Sequence, residues 1–150
     1  MKRALTYILL IVLVVGFGAL SGVSNMPGDW YQTLEKPFFQ PPAWIFGPVW
    51  TALYVLIAIA GARTWLAAPA SGRMQVWFGQ MVLNLLWSPA FFGAESPILG
   101  LVVIAPLLVA IILFVRMSWS RDRISAWLFL PYLAWVGFAT LLNLSIVILN

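Results

Sequence analysis

Residues 98–117 read ILGLVVIAPLLVAIILFVRM. From Ile98 to Val115 no side chain is charged, and polar and apolar residues do not alternate. A helix crosses the roughly 30 Å hydrocarbon core of a bilayer in about 20 residues, so the stretch reads as a membrane-spanning helix. A barrel strand would show about ten residues of alternating hydropathy, and neither Leu107–Val115 nor Ile8–Val15 does. Four other stretches share this character: Ala4–Val23, Trp44–Leu66, Met74–Phe92 and Ile124–Leu149. The reading is an all-α fold, an integral membrane five-transmembrane-helix bundle, forming a single domain over residues 1–150. The N-terminal run from Ala4 to Leu20 is longer than the 7–15 residues of a signal-peptide core, so it is read as an uncleaved span.

Composition agrees. Of 150 residues, 63% are of the AVILMFWYC set and 8% are charged, against about 25% charged in a soluble domain. Mean hydropathy is +1.01. There is no Cys and no His, which removes disulfides, thiol nucleophiles, Ser-His-Asp triads, ordinary zinc sites and His or Cys haem ligation. No metal site is expected. No ionisable residue lies in the middle of a span, which argues against ion-coupled transport, ion channels and acid–base catalysis inside the membrane.

The few charges set the topology. Lys2, Arg3, Arg63, Arg73, Arg116, Arg121 and Arg123 fall on one side of a five-span arrangement and only Lys36 on the other. Seven against one places the N-terminus in the cytoplasm and the C-terminus outside. No basic patch stands apart from the span ends, so no nucleic-acid partner is expected. The bilayer itself is the first partner.

The remaining chemistry is aromatic and amide. On the third span Gln80, Asn84, Trp87 and Ser88 fall at i, i+4, i+7 and i+8, one helical face, and Phe91 extends it. On the second span Trp50 and Tyr54 are at i and i+4, followed by small Ala58 and Gly61. On the fifth, Trp135, Ala139 and Asn143 repeat at i+4, with Tyr132, Phe138 and Leu142 beside them. A pocket enclosed by these faces would be wide, apolar and flat-walled with a few hydrogen-bonding points, which suits a large hydrophobic ligand with polar edges. Interhelical hydrogen bonding is the competing use of the amides, and for Asn143 the two readings stay even. Trp30, Trp44, Trp65, Trp77, Trp119 and Trp127, near span ends, read as interfacial anchors. Trp50, Trp87 and Trp135 lie deeper and read as pocket residues. The connection 24–43 is long for a compact bundle and carries four prolines and several aromatics, which suits a lid over the outer ends. Gly18/Gly22 and Ala58/Ala62 are small-residue pairs that suit either packing within the bundle or a dimer.

These segments resemble the TspO/MBR family of tryptophan-rich sensory proteins, which includes the mitochondrial translocator protein. The matching residues are Trp30-Tyr31, Leu34-Glu35-Lys36-Pro37 and Pro41-Pro42, then Phe46-Gly47-Pro48-Val49-Trp50-Thr51-Ala52-Leu53-Tyr54. Gly79-Gln80, Leu83-Asn84, Trp87-Ser88-Pro89 and Phe91-Phe92-Gly93 follow. Pro131-Tyr132-Leu133-Ala134-Trp135, Phe138-Ala139-Thr140 and Leu142-Asn143 complete the set. The resemblance implies a five-helix bundle, usually a homodimer, that binds tetrapyrroles such as protoporphyrin IX and haem beneath the first loop, with no resident cofactor required. By motif position it implies ligand contacts at Tyr31, Trp50, Asn84, Trp87, Phe91, Trp135, Ala139 and Leu142. Ser88 stands where some bacterial members carry Asn. The resemblance also implies that Trp50 and Trp135 would be the photo-active pair if the protein degrades porphyrin in light. Sterol-binding members are noted for a C-terminal Leu/Val–Tyr–Lys/Arg pattern. Residues 142–150 contain neither Tyr nor a basic residue, so sterol binding lacks sequence support.

Three functions follow from these readings: a tetrapyrrole receptor, a light-dependent porphyrin-degrading enzyme, and a facilitative transporter of lipid-like ligands. The receptor reading leads, because recognition by aromatic faces and amides needs no titratable group. The bacterial inner membrane fits the charge bias, and the outer membrane stays open.

Overall fold

The structure is a computed structural model that describes all 150 residues. It is helical, without strands: α1 (Lys2–Ser24), α2 (Asp29–Thr33), a 3-10 turn (Ala43–Ile45) leading into α3 (Phe46–Ala67), α4 (Gly72–Ser88) with a π-helical turn (Pro89–Gly93), α5 (Pro97–Trp119) and α6 (Arg123–Leu149). Four helices, α1, α3 with its 3-10 turn, α5 and α6, are long and apolar enough to cross a membrane. α4 has 17 residues and falls short of that length by itself. The short α2 was not legible, because its five residues carry no periodic apolar face.

Polar residues in the connections end the apolar runs and cap the helices that follow. The Ser71 side chain accepts from the Met74 amide and the Ser96 side chain from the Leu99 amide. Asp122 does the same for the Ser125 amide. Each satisfies one amide that has no partner within the helix. Pro106 and Pro131 lie inside α5 and α6 without ending them, as membrane helices allow when neighbours re-satisfy the backbone.

The helices close into a ring in the order α1, α3, α6, α5, α4, with α4 returning to α1. Ile57, Ile111, Phe114, Phe129 and Val136 are wholly buried at its centre, whereas Leu5, Ile8, Val12, Val102 and Val109 point outward. In lipid there is no hydrophobic drive between helices, so close packing and interhelical hydrogen bonds hold the ring. Ala58 and Ala62 are wholly buried. A Cβ on Gly18 would meet the Tyr54 ring at 2.3 Å, whereas one on Gly22 would meet nothing within 4 Å. Three of the four small residues therefore serve packing within the chain.

One tryptophan departs from the sequence reading. Trp77 is only 2% exposed and does not anchor an interface. Its indole lies against Gly61, and its Nε1 donates to the Ile57 carbonyl of α3 at 3.0 Å. Proximity to a span end had suggested the interface. The missing side chain at Gly61 instead opens α3 to the ring.

Candidate functional site

Inside the ring, from mid-helix toward the end that segment 24–43 covers, α3, α4 and α6 bring their polar side chains together. The Tyr54 hydroxyl donates to Asn84 Oδ1 (3.0 Å), Asn84 Nδ2 donates to the Tyr132 hydroxyl (2.7 Å), and that hydroxyl donates to Gln80 Oε1 (2.7 Å). Gln80 and Tyr132 are wholly buried and Asn84 nearly so. The chain of bonds therefore joins three helices where no water competes. Trp50 caps this network, 5.4 Å from Tyr54 and 6.4 Å from Tyr132 between ring centroids.

Two aromatic groups flank it. On the α4–α5 side, Trp87 stacks on Phe91 at 5.1 Å, and its Nε1 donates to Asn143 Oδ1 at 3.1 Å. Asn143 Nδ2 in turn donates to the Pro97 carbonyl at 2.7 Å, so the structure places Asn143 in interhelical bonding. Phe91 fits because residue 100 is glycine. A Cβ there would lie 2.6 Å from the Phe91 ring and 2.8 Å from Asn143 Oδ1. On the α3–α6 side, Trp135 packs against Phe46 (5.6 Å) and Phe138 (5.9 Å). Its Nε1 is buried and has no hydrogen-bond partner. Buried indole N–H groups usually find one. Ser88 and Ala139 are half-buried and Leu142 is buried beside these groups.

Segment 24–43 crosses this end and is tied down at several points. Trp30 and Tyr31 meet Phe91 edge-on, and Tyr31 also meets Phe92. Phe39 leans on Phe138. The Lys36 ammonium sits 4.4 Å over the Tyr31 ring and donates to the Tyr31 and Leu34 carbonyls. The Glu35 amide donates to Asn150 Oδ1 (3.0 Å), and Asn150 Nδ2 donates back to the Glu35 carbonyl (2.9 Å). Burial pushes the Tyr31 phenol above its usual range, offset in part by the hydrogen bond from Gln40.

The residues read from the sequence thus fall into three adjoining groups. Trp50, Tyr54, Gln80 and Asn84 meet in the hydrogen-bonded centre. Tyr31, Trp87 and Phe91 meet on one side of it, and Trp135 and Phe138 on the other. Tyr132 lies beside the stripe on the fifth span and outside the site expected from the sequence, yet it is the hub of the network. Its i+3 spacing to Trp135 was the available signal. No three metal-ligating side chains converge anywhere in the chain. Two open clefts, of about 320 and 260 Å³, lie at the opposite, arginine-bearing end.

Apolar outward faces on a closed helical ring, with an aromatic and amide cluster at one end, define an integral membrane protein. The TspO/MBR family model matches residues 8–149. A tryptophan-rich protein TspO of Archaeoglobus fulgidus is 42% identical over 95% of this chain and 94% of its own. A tryptophan-rich sensory protein of Cereibacter sphaeroides is 34% identical over 90% of this chain and 85% of its own. The human translocator protein is 34% identical over 87% of this chain and 82% of its own. The chain belongs to the TspO/MBR family.

Proposed function

We propose that this protein is a membrane receptor for tetrapyrroles such as protoporphyrin IX and haem, acting in porphyrin regulation or trafficking. The observation that carries the reading is the unpartnered Nε1 of Trp135 within a cluster of aromatic faces under segment 24–43. Indole and phenyl rings can stack on a macrocycle, and an unused indole N–H suits a propionate or ring-edge acceptor. The donor set fits a tetrapyrrole held by its faces and edges, since no His or Cys exists to ligate haem iron. Trp50, Trp87, Phe91 and Trp135 would supply the stacking surfaces, with Tyr31, Tyr54, Gln80, Asn84 and Ser88 offering polar contacts and Phe138, Ala139 and Leu142 the apolar wall. These rings pack on one another, so the ligand enters as segment 24–43 lifts from Phe91 and Phe138.

The same reading takes α4 as a fifth span. Its 17 residues reach about 26 Å at 1.5 Å per residue, and the π-helical turn adds the rest. The N-terminus is then cytoplasmic and the C-terminus outside, in the bacterial inner membrane, with a homodimer as the assembly. The names of the relatives, sensory protein and translocator protein, accord with a receptor role.

The test is protoporphyrin IX quenching of tryptophan fluorescence in purified protein, in the dark and under illumination. Trp135→Phe, which removes the free N–H and keeps a ring, should weaken binding about tenfold, the scale of one hydrogen bond to a charged group. Unchanged affinity in Trp135→Phe and in Trp50→Ala would sink the site. Loss of the porphyrin absorption band in light that requires both Trp50 and Trp135 would favour the degrading enzyme instead.

A further inference from the structure

The end of the ring opposite the aromatic cluster holds a second polar feature. Arg3, Tyr7, Arg63, Arg73, Arg121 and Asp122 line an open cleft of about 320 Å³ between α1, α3, α4 and the α5–α6 connection. Four guanidinium groups face a single carboxylate, and that carboxylate is already committed. Arg63 Nη2 and Nε donate to Asp122 Oδ1 (2.8 Å) and Oδ2 (3.0 Å), and Ser125 Oγ donates to Oδ2 as well. This is the one ion pair of the chain. Arg3, Arg73 and Arg121 are left without a counter-charge.

Arg73 separates this cluster from an ordinary basic rim. A topology signal needs charge near the membrane surface and nothing more. Arg73 is instead 7% exposed, its Nη1 is buried without a hydrogen-bond partner, and it lines both clefts at this end. Burying a charge without a partner is unfavourable unless an opposite charge joins it. Its backbone points the same way. Gly72 and Arg73 open α4, and the first amides of a helix have no intrahelical acceptor. The Ser71 side chain and carbonyl are used by Met74 and Gln75. A helix start beside unpaired guanidinium groups favours an anion with several acceptor oxygens.

We propose that this cleft is an anion site for a phosphate group, gripped by Arg73 and Arg121 with Arg3 at its mouth, separate from the aromatic site at the other end. A phosphate in this position comes either from a soluble phosphate ester or from an anionic lipid headgroup at the membrane surface. The fork of each guanidinium matches a phosphate edge.

The test uses the full chain in phosphatidylcholine nanodiscs and reads the Arg73 Nε–H signal by NMR, assigned through Arg73→Lys. One arm titrates inorganic phosphate, and the other compares nanodiscs doped with phosphatidic acid. A saturable shift with inorganic phosphate assigns a soluble ester, and a shift only with phosphatidic acid assigns a headgroup. In either case Arg121→Gln should weaken the shift of the Arg73 signal about tenfold, and Arg73→Gln should weaken the companion shift of the Arg121 Nε–H signal by the same factor. Arg116→Gln, exposed and outside both clefts, should leave both shifts unchanged. Near-UV circular dichroism checks that each variant is folded, and Arg121→Gln carries the comparison if Arg73→Gln is not. No shift with either probe, or equal weakening by Arg116→Gln, overturns the proposal.

Discussion

Replacing Tyr132 with Phe isolates the contribution of the buried hydrogen-bond chain. The ring stays, so packing against Phe129 at 5.3 Å and Trp50 at 6.4 Å is retained. What goes is one hydroxyl that accepts from Asn84 and donates to Gln80, both at 2.7 Å. Interhelical hydrogen bonds in membranes are worth ~0.6 kcal/mol on average and up to ~1.7. Two of them give roughly 1 to 3 kcal/mol. The upper part of that range is expected, because Gln80 is wholly buried and its carbonyl is left without a strong donor, a stranding that costs ~1–3 kcal/mol. Tyr54→Phe removes a single 3.0 Å bond at a half-buried end of the chain and should cost about 1 kcal/mol or less. Reversible unfolding in mixed detergent micelles measures both. A cycle with Gln80→Met adds a second check, since the double variant Tyr132→Phe/Gln80→Met should cost less than the sum of its parts. Tyr132→Phe no more costly than Tyr54→Phe, together with an additive cycle, would refute the network as a stabilising unit.

Other outcomes follow from the same geometry. Gly100→Ala places a methyl 2.6 Å from Phe91 and 2.8 Å from Asn143 Oδ1. It should destabilise by ~1–3 kcal/mol and alter Trp87 emission, because Trp87 bonds to that oxygen. Trp77→Phe loses the bond to the Ile57 carbonyl and part of its packing, for roughly 1–2 kcal/mol. Its protoporphyrin quenching should stay proportionate to the remaining tryptophans, and lost affinity would count against a purely structural Trp77. Burial pushes the Asp122 carboxyl up, but the bonds from Arg63 and Ser125 outweigh it and hold the group at about 2, below its ordinary 3.8. A depressed folded value means this stabilisation is complete above pH 3.8 and is lost as pH falls toward 2. Unfolding of the wild type should weaken across that window more steeply than unfolding of Asp122→Asn. Parallel curves would show that the Arg63 pair adds nothing, as is common for pairs open to solvent.

Much of the architecture was legible because lipid imposes one requirement on the backbone. Every peptide group must find its partner inside the protein, which leaves helices and closed barrels, and an uncharged run without alternation such as Ile98–Val115 has to be helical, with its ends following from the first polar residues. The stripes on α3, α4 and α6 were legible for a related reason, since a 3.6-residue repeat fixes which side chains share a face. Their partners were not. The same stripe that carries Asn84 could have aimed its amide at a ligand, and the fold gives it to Tyr54 and Tyr132. Asn143 could not be assigned, and it bonds Trp87 to the Pro97 carbonyl. Trp77 was misplaced, because position along a helix does not reveal whether a neighbour leaves a gap for the ring.

The sequence by itself determined that this is an all-helical membrane protein, where the charged ends lie, and that the side chains with hydrogen-bonding capacity inside the spans are aromatic, amide and hydroxyl groups. Those facts follow from composition and local periodicity, which depend only on residues near one another in the chain. The tertiary structure alone decided which small residues are contact points and that Tyr132 is the hub of a buried network. It also left the Trp135 N–H, toward segment 24–43, and the Arg73 Nη1, at the arginine-bearing end, buried without hydrogen-bond partners, along with Gln40 Oε1 and Ser118 Oγ. A hydrogen bond depends on distance between helices, and no spacing within a helix encodes that.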